Sequence, residues 1–330
     1  MLQSRYRFIL EVRDGGGVLV HREEVADFLP CYEDLLFAAV RAGKLANDGT
    51  VPSATVEPAW REGRGGELAG VTVSLPPLAK MYGLEIFATR AWEVLVQKKL
   101  VTGDEEEEPK ALTWSIRARE READESKPRA RISLSRQPYP LAPRSLGDFG
   151  VEVSPDGDET LPLLCSRSLI DELREETARS LDKERADVLT GHLVQEANGQ
   201  TALVVTGRIP AQTDTAASQA HFSFSPLTFL AVQEELGRRP GETIVGWHHN
   251  HPPPCGAGCL QVSPPCKSRT PFFSLADRSV HRASFSAPYM VALVSGKEAD
   301  RGADDAVIQA YGWREGVIRE REFSIYEEAT

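Results

Sequence analysis

Two neighbouring stretches near the middle of the chain are not expected to contribute to an apolar core. Arg117 to Arg131 is dominated by charge, and Gln137 to Pro143 holds three prolines. Together they read as a tether, with at most a short strand at Ile132-Ser133-Leu134. A chain of 330 residues is long enough to carry a core on each side of it; single cores usually divide at such lengths. The expected organisation is a small α+β domain with its linker over 1–150 and an α/β domain with a mixed sheet flanked by helices over 151–330. The boundary is fixed only to about fifteen residues either way.

Composition narrows the class. With 41% hydrophobic and 26% charged residues, a wholly disordered chain is excluded. No run of about 18 apolar residues is present, so no membrane-spanning helix or membrane partner is expected. Met1 to Val12 alternates charged and apolar residues and lacks the apolar core of a secretion signal, which points to the cytoplasm. A net charge of -11 argues against broad phosphate-backbone contact, so no nucleic-acid partner is expected.

In the first part, Tyr6 to Val12 alternates like a strand and Gly15-Gly16-Gly17 turns the chain. Val25 to Val40 has helical spacing, with Pro30 near the helix start. Val71 to Leu75 reads as a strand ended by Pro76-Pro77, and Leu112 to Ala118 as another. Ile86 to Leu100 reads as a helix with Trp92, Leu95, Val96 and Leu100 on one face. The acidic run Asp104 to Glu108 reads as a solvated loop.

The second part has a clearer rhythm. Ser168 is the expected N-cap of a helix carrying Leu169, Leu173 and Leu181. Val188 to Val194 and Ala202 to Ile209 flank an Asn198-Gly199 turn. Pro226 to Leu236 and Ser274 to Arg282 are predicted helices, and Thr243 to Trp247 and Tyr289 to Val294 predicted strands. Val307 to Trp313 and Val317 to Tyr326 are expected to form a closing antiparallel pair.

The most informative stretch is Gly246-Trp247-His248-His249-Asn250-His251-Pro252. It sits at the end of an apolar strand. Residues two apart share a face in extended chain, so His249 and His251 can address one ion. Asp277, three residues after Ser274 at a predicted helix start, can turn a carboxylate to the same point. Two imidazoles, a carboxylate and a water make a zinc site with an open position. Zinc acidifies its water, and a carboxylate is the usual general base beside it. Candidates for that base are Glu184 and its acidic neighbours Glu175, Glu176, Asp182 and Asp187.

Three of the five cysteines, Cys255, Cys259 and Cys266, fall within twelve residues. They occupy the interval of twenty-two residues between His251 and Ser274, which is rich in proline and glycine. A second, structural zinc would order such a segment; free thiols are the alternative. Its fourth ligand is open between His281, which is preferred, and His248. Otherwise His281 is a helix-surface residue or one that supports a ligand from behind, and His248 a strand residue facing away from the ligands. Cys31 and Cys165 are expected to be buried thiols. His192 and His221 are expected to pack or hydrogen-bond.

His249-x-His251-Pro252 followed by Ser274-x-x-Asp277 resembles the JAMM metallopeptidases, also called MPN+ or JAB. Glu184-Arg185-Ala186-Asp187-Val188-Leu189-Thr190-Gly191 is similar to that family's glutamate strand. Phe272 to Phe285 and Pro288 to Val294 resemble its bacterial deubiquitinase-like branch. The likeness covers roughly residues 160 to 330. It implies an MPN/JAB-type fold there, with a catalytic zinc on His249, His251 and Asp277. Glu184 is implied as general acid/base and Ser274 as an oxyanion donor. The implied reaction is hydrolysis of a peptide or isopeptide bond after the C-terminus of a bacterial ubiquitin-like protein. Its implied partners are that protein or its conjugates and E1-like and E2-like proteins, in some cases in antiviral operons. The alternatives are a JAMM peptidase or amidase on another substrate, or a non-catalytic MPN scaffold. Departures are Asp187 where glycine is common, Asn250 where serine or threonine is common, and the long interval before Ser274. His-Asn-His-Pro also occurs in the RadC-like branch.

Overall fold

The computed structural model describes residues 2–63, 66–98, 113–121, 136–150, 161–179, 184–211, 224–251, 272–297 and 306–327. The acidic run, the Ile132–Leu134 segment, Leu100, Leu181, Asp182, His221 and the three clustered cysteines lie outside them. The chain divides into two compact units, 1–139 with 314–317 and 140–313 with 318–330. It is a mixed α/β protein with three sheets and five α-helices among the described residues. No described helix is long and apolar enough to cross a membrane.

In the first unit, strands β1 (Leu2–Gln3), β4 (Ala54–Trp60), β5 (Leu68–Leu75) and β6 (Leu78–Gly83) form a sheet in that order. Strands β3 (Leu19–Val25), β2 (Tyr6–Arg13) and β7 (Thr113–Glu120) form a second, antiparallel one. Phe8, Phe28 and Phe87 meet at centroid distances of 5.0 to 6.3 Å and seal the space under that sheet. Helix α1 (Leu29–Arg41) carries Pro30 in its first turn, where a missing N–H costs nothing.

Helix α2 (Ala88–Gln97) buries Leu95 as expected but corrects the rest of that face. Its buried residues are Ala91, Val94 and Leu95, while Trp92 and Val96 are only partly covered. A 3-10 turn over Leu84–Phe87 precedes it and supplies Phe87 to the core. The helix proper thus starts later than expected, and its inward stripe is rotated.

The second unit is built on one nine-stranded mixed sheet. Its path runs β15 (Val317–Arg321), β14 (Ala306–Arg314), β13 (Val291–Lys297), β12 (Thr243–Asn250), β10 (Ala186–Gln195), β11 (Thr201–Pro210), β9 (Leu163–Ser166), β16 (Ser324–Tyr326). The described parts of the expected tether are ordered instead: Arg117 to Glu120 lie in β7, Tyr139 is buried against Phe37 at 4.9 Å, and strand β8 (Leu141–Pro143) pairs with β10, which places residues just before the expected boundary in this unit. Helices α3 (Arg167–Arg179), α4 (Pro226–Leu236) and α5 (Leu275–Ser284) complete it. The expected closing strand Val317–Tyr326 is two strands: β15 follows β14, but β16 pairs in parallel with β9 at the far edge. The N-cap expected at Ser168 is corrected to Ser166, whose Oγ accepts the Leu169 N–H at 3.3 Å.

Strands β10 and β12 run antiparallel at the centre, and β12 is parallel to β13. Gly246 makes that second pairing possible. Its φ is +157°, and a Cβ there would lie 1.9 Å from the Val291 carbonyl oxygen. Trp247, Phe273, Phe285, Val294, Tyr311 and Trp313 form the apolar core against this part of the sheet.

Candidate metal centre

Alternation along β12 sorts its last residues. Trp247 and His249 share one face, with rings stacked at 4.6 Å and 12°. The Trp247 indole N–H donates to His281 Nδ1 at 3.0 Å, which fixes the ring plane on which His249 rests. His251, just past the strand, packs edge-on against Phe272 at 4.8 Å.

The carboxylates arrive from two other elements. Ser274 caps α5: its Oγ accepts the Asp277 N–H at 3.1 Å, and Asp277 Oδ2 accepts the Ser274 N–H at 2.8 Å. This reciprocal capping box locks Asp277 in the first turn. Asp277 Oδ1 then lies 3.3 Å from His249 Nε2, and Oδ2 lies 3.7 Å from His251 Nε2. Glu184 sits two residues before β10, whose Ala186 pairs with His249. Its Oε1 is 3.8 Å from His249 Nε2. The two Nε2 atoms are 2.9 Å apart.

One ligand atom from each of Glu184, His249, His251 and Asp277 falls within 4.8 Å of all the others, so the group could hold a metal ion. Two buried carboxylates facing two imidazole nitrogens, with no lysine or arginine in the group, form a donor set that suits a divalent cation. Burial alone would raise the Asp277 carboxyl. The charge and hydrogen bonds of His249 and His251 outweigh it and hold the group far below the usual carboxylate range. Ser274 accepts rather than donates in its cap, so its own hydroxyl hydrogen is left to donate. His249 Nδ1 has no hydrogen-bond partner among the described residues.

The opposite face of the strand end does different work. His248 Nδ1 is 2.9 Å from Asp187 Oδ2, and His248 Nε2 is 2.8 Å from Ser295 Oγ. Ser295 Oγ lies 2.6 Å from Thr177 Oγ1, which donates to the Leu173 carbonyl in α3. Arg208 from β11 closes the other end on Asp187. Burial opposes ionisation of Asp187, but His248 and then Arg208 hold its carboxyl below the usual range. Burial pushes His248 down, partly offset by Asp187. The order Asp–His–Ser is that of a hydrolytic triad, yet Ser295 is 0% exposed, so this network ties four strands and α3 together and cannot meet a substrate.

His281 is fully buried among Phe273, Phe285 and Trp313, with Nδ1 occupied by Trp247. Burial pushes it down to about 3. It is a core residue that supports His249 through Trp247, which corrects the expected helix-surface position; the cysteines for which it is the preferred fourth ligand lie outside the described residues. His192 bonds Gly241 O and Arg144, and Cys31 and Cys165 are buried free thiols, as expected. The network through Asp187 and the contacts of Asn250 carry no sequence signal of their own beyond alternation on the strand.

No protein-family model matches the sequence, and no curated protein matches it. Among solved structures, the solution structure of a protein from Desulfitobacterium hafniense is similar, with a TM-score of 0.35 and 20% identity, over 50% of this chain and 94% of that one. A likeness of that size carries no argument. Fold and site together define a mixed α/β protein whose second unit gathers four residues able to hold a metal ion.

Proposed function

We propose that the second unit is a zinc metallopeptidase domain of JAMM type that cleaves after the C-terminus of a bacterial ubiquitin-like protein. The observation that supports this reading is the convergence of Glu184, His249, His251 and Asp277 within 4.8 Å, beside the Ser274 cap. These are the residues that the resemblance assigns to the chemistry. His249, His251 and Asp277 would hold the metal. Zinc, when bound, supplies a Lewis acid that polarises a carbonyl and lowers the pKa of water.

The chain's own residues supply the rest. Glu184 takes a proton from the attacking water and delivers it to the leaving amine. Ser274 offers its free hydroxyl hydrogen to the oxygen on which charge develops. Trp247 keeps the His249 ring in plane, and the capping box keeps Asp277 turned inward.

The test measures zinc per chain and cleavage of a ubiquitin-like fusion for the wild type and Glu184→Ala. Zinc bound near one equivalent with cleavage lost in the variant is the expected result. Zinc without Glu184-dependent cleavage would sink the peptidase reading. Two equivalents would point to the cysteine segment as a second site.

A further inference from the structure

Asn250 stands between the two histidines, and it is 3% exposed. Ala186 pairs with His249, so Arg185 and Asn250 are the next facing pair of the antiparallel ladder. Such a pair can exchange two main-chain hydrogen bonds. Only one is made in that way: the Asn250 N–H donates to the Arg185 carbonyl at 3.1 Å. The Arg185 N–H donates instead to the Asn250 side-chain oxygen, Oδ1, at 2.6 Å. That amide belongs to the peptide group joining Glu184 to Arg185. Strand β10 begins at Ala186, so Arg185 extends the pairing by a single main-chain bond and Glu184 lies beyond it.

We propose that Asn250 is a positioning residue for Glu184. Its Oδ1 replaces a main-chain carbonyl as acceptor and clamps the peptide on which the Glu184 side chain is carried. The strand end is thereby freed from regular pairing yet held, and Glu184 stays at 3.8 Å from His249 Nε2. Odd-numbered residues of the segment His248 to His251 face the metal group. The even-numbered ones anchor the strand, His248 through side chains and Asn250 through the backbone beside Glu184. This inference rests on the metal-centre reading and not on the choice of substrate.

The test needs no substrate. Cobalt(II) is titrated into chelator-treated wild type, Glu184→Gln, Asn250→Leu, the double variant and Asn250→Asp, and its visible spectrum and Kd are recorded. Glu184→Gln and Asn250→Leu are each expected to weaken binding about tenfold to a hundredfold, with the same spectral change. The double variant should be within about twofold of either single one. Asn250→Asp keeps an acceptor oxygen in place and should retain the wild-type spectrum. Asn250→Ala, which adds no bulk, carries the test where Asn250→Leu does not fold. Wild-type binding by Asn250→Leu, or independent effects that multiply, each overturn the positioning role alone. A wild type that binds no cobalt overturns the metal-centre reading, and the inference with it.

Discussion

Among the described residues of the first unit, Glu11 is the one buried acidic, basic or histidine side chain; the second unit buries Glu184, Asp187, His192, His248, His249, Asp277 and His281. The surroundings differ as much as the number. Glu11 meets Arg13, Arg22 and Arg117, whose side chains are 37 to 56% exposed, so water reaches the positive ends of all three pairs. In the second unit the partners are themselves buried, as with Asp187 and His248. Removing polar groups from water costs free energy unless every one is paired. The second unit accepts that cost along one strand end, where the metal group and its supports coincide. Among its described residues the first unit has no comparable concentration of buried charge.

The largest test of this contrast is chemical. Glu184→Ala should reduce cleavage of a ubiquitin-like fusion by about a hundredfold to ten-thousandfold, the usual range for a general acid/base, with the far-UV spectrum unchanged. Retention of activity would remove Glu184 from the proposed mechanism. A paired experiment then probes the buried networks directly. Asp187→Ala leaves His248 and Arg208 without their carboxylate and should cost about 3 to 5 kcal/mol in denaturant unfolding of the second unit. Glu11→Ala should cost about 1 kcal/mol or less, because its arginines turn to water. Equal losses at the two sites would erase the distinction between the units.

A smaller effect comes from acid. His281 is held neutral by burial, with its pKa pushed down to about 3. An unfolded histidine titrates near 6.5. A folded value below the unfolded one means that the unfolded chain binds the proton first, so stability falls as pH drops from about 6.5 toward 3. Between pH 7 and pH 5 this residue should cost about 2 kcal/mol. The unfolding free energy of wild type is expected to fall by that much more than the free energy of His281→Phe. Parallel pH curves for the two proteins would show that His281 is not the group responsible.

Much of the site was legible because its signals are local. Strand alternation put His249 and His251 on one face, and Ser274-x-x-Asp277 was readable as a cap; the contact of the two imidazoles and the capping box are both present in the structure. Pro226 announced α4, which begins at that residue. Other features depend on pairings far apart in sequence. The Asp187–His248, His248–Ser295 and Thr177–Ser295 contacts join residues 61, 47 and 118 positions apart, so no window of sequence contains them. Nothing local directs Ser324–Tyr326 to β9 instead of continuing β15. Ser166 and Ser168 offer the same hydroxyl two residues apart, and only the strand end of β9 selects Ser166 as the cap. His281 was misplaced because an alternating charged helix, Asp277-Arg278-Ser279-Val280-His281-Arg282, reads as exposed while its inward stripe is Asp277 and His281.

The smallest predicted effect separates capping from ligation within the second unit. Ser225 and Ser274 both accept an N–H three residues on, at 3.2 and 3.1 Å, at the starts of α4 and α5. Either serine changed to alanine should lose about 1 kcal/mol in thermal or denaturant unfolding. Asp277, however, is held at Ser274 by a second bond, from the Ser274 main-chain N–H to Oδ2, which the substitution leaves in place. The carboxylate therefore keeps its orientation toward His249 and His251. Metal Kd in Ser274→Ala should stay within about twofold of wild type, as in Ser225→Ala. A much larger loss of affinity in Ser274→Ala alone would mean that the hydroxyl, and not the backbone amide, holds Asp277 at the metal group, and the capping box would then belong to the site as much as to the helix.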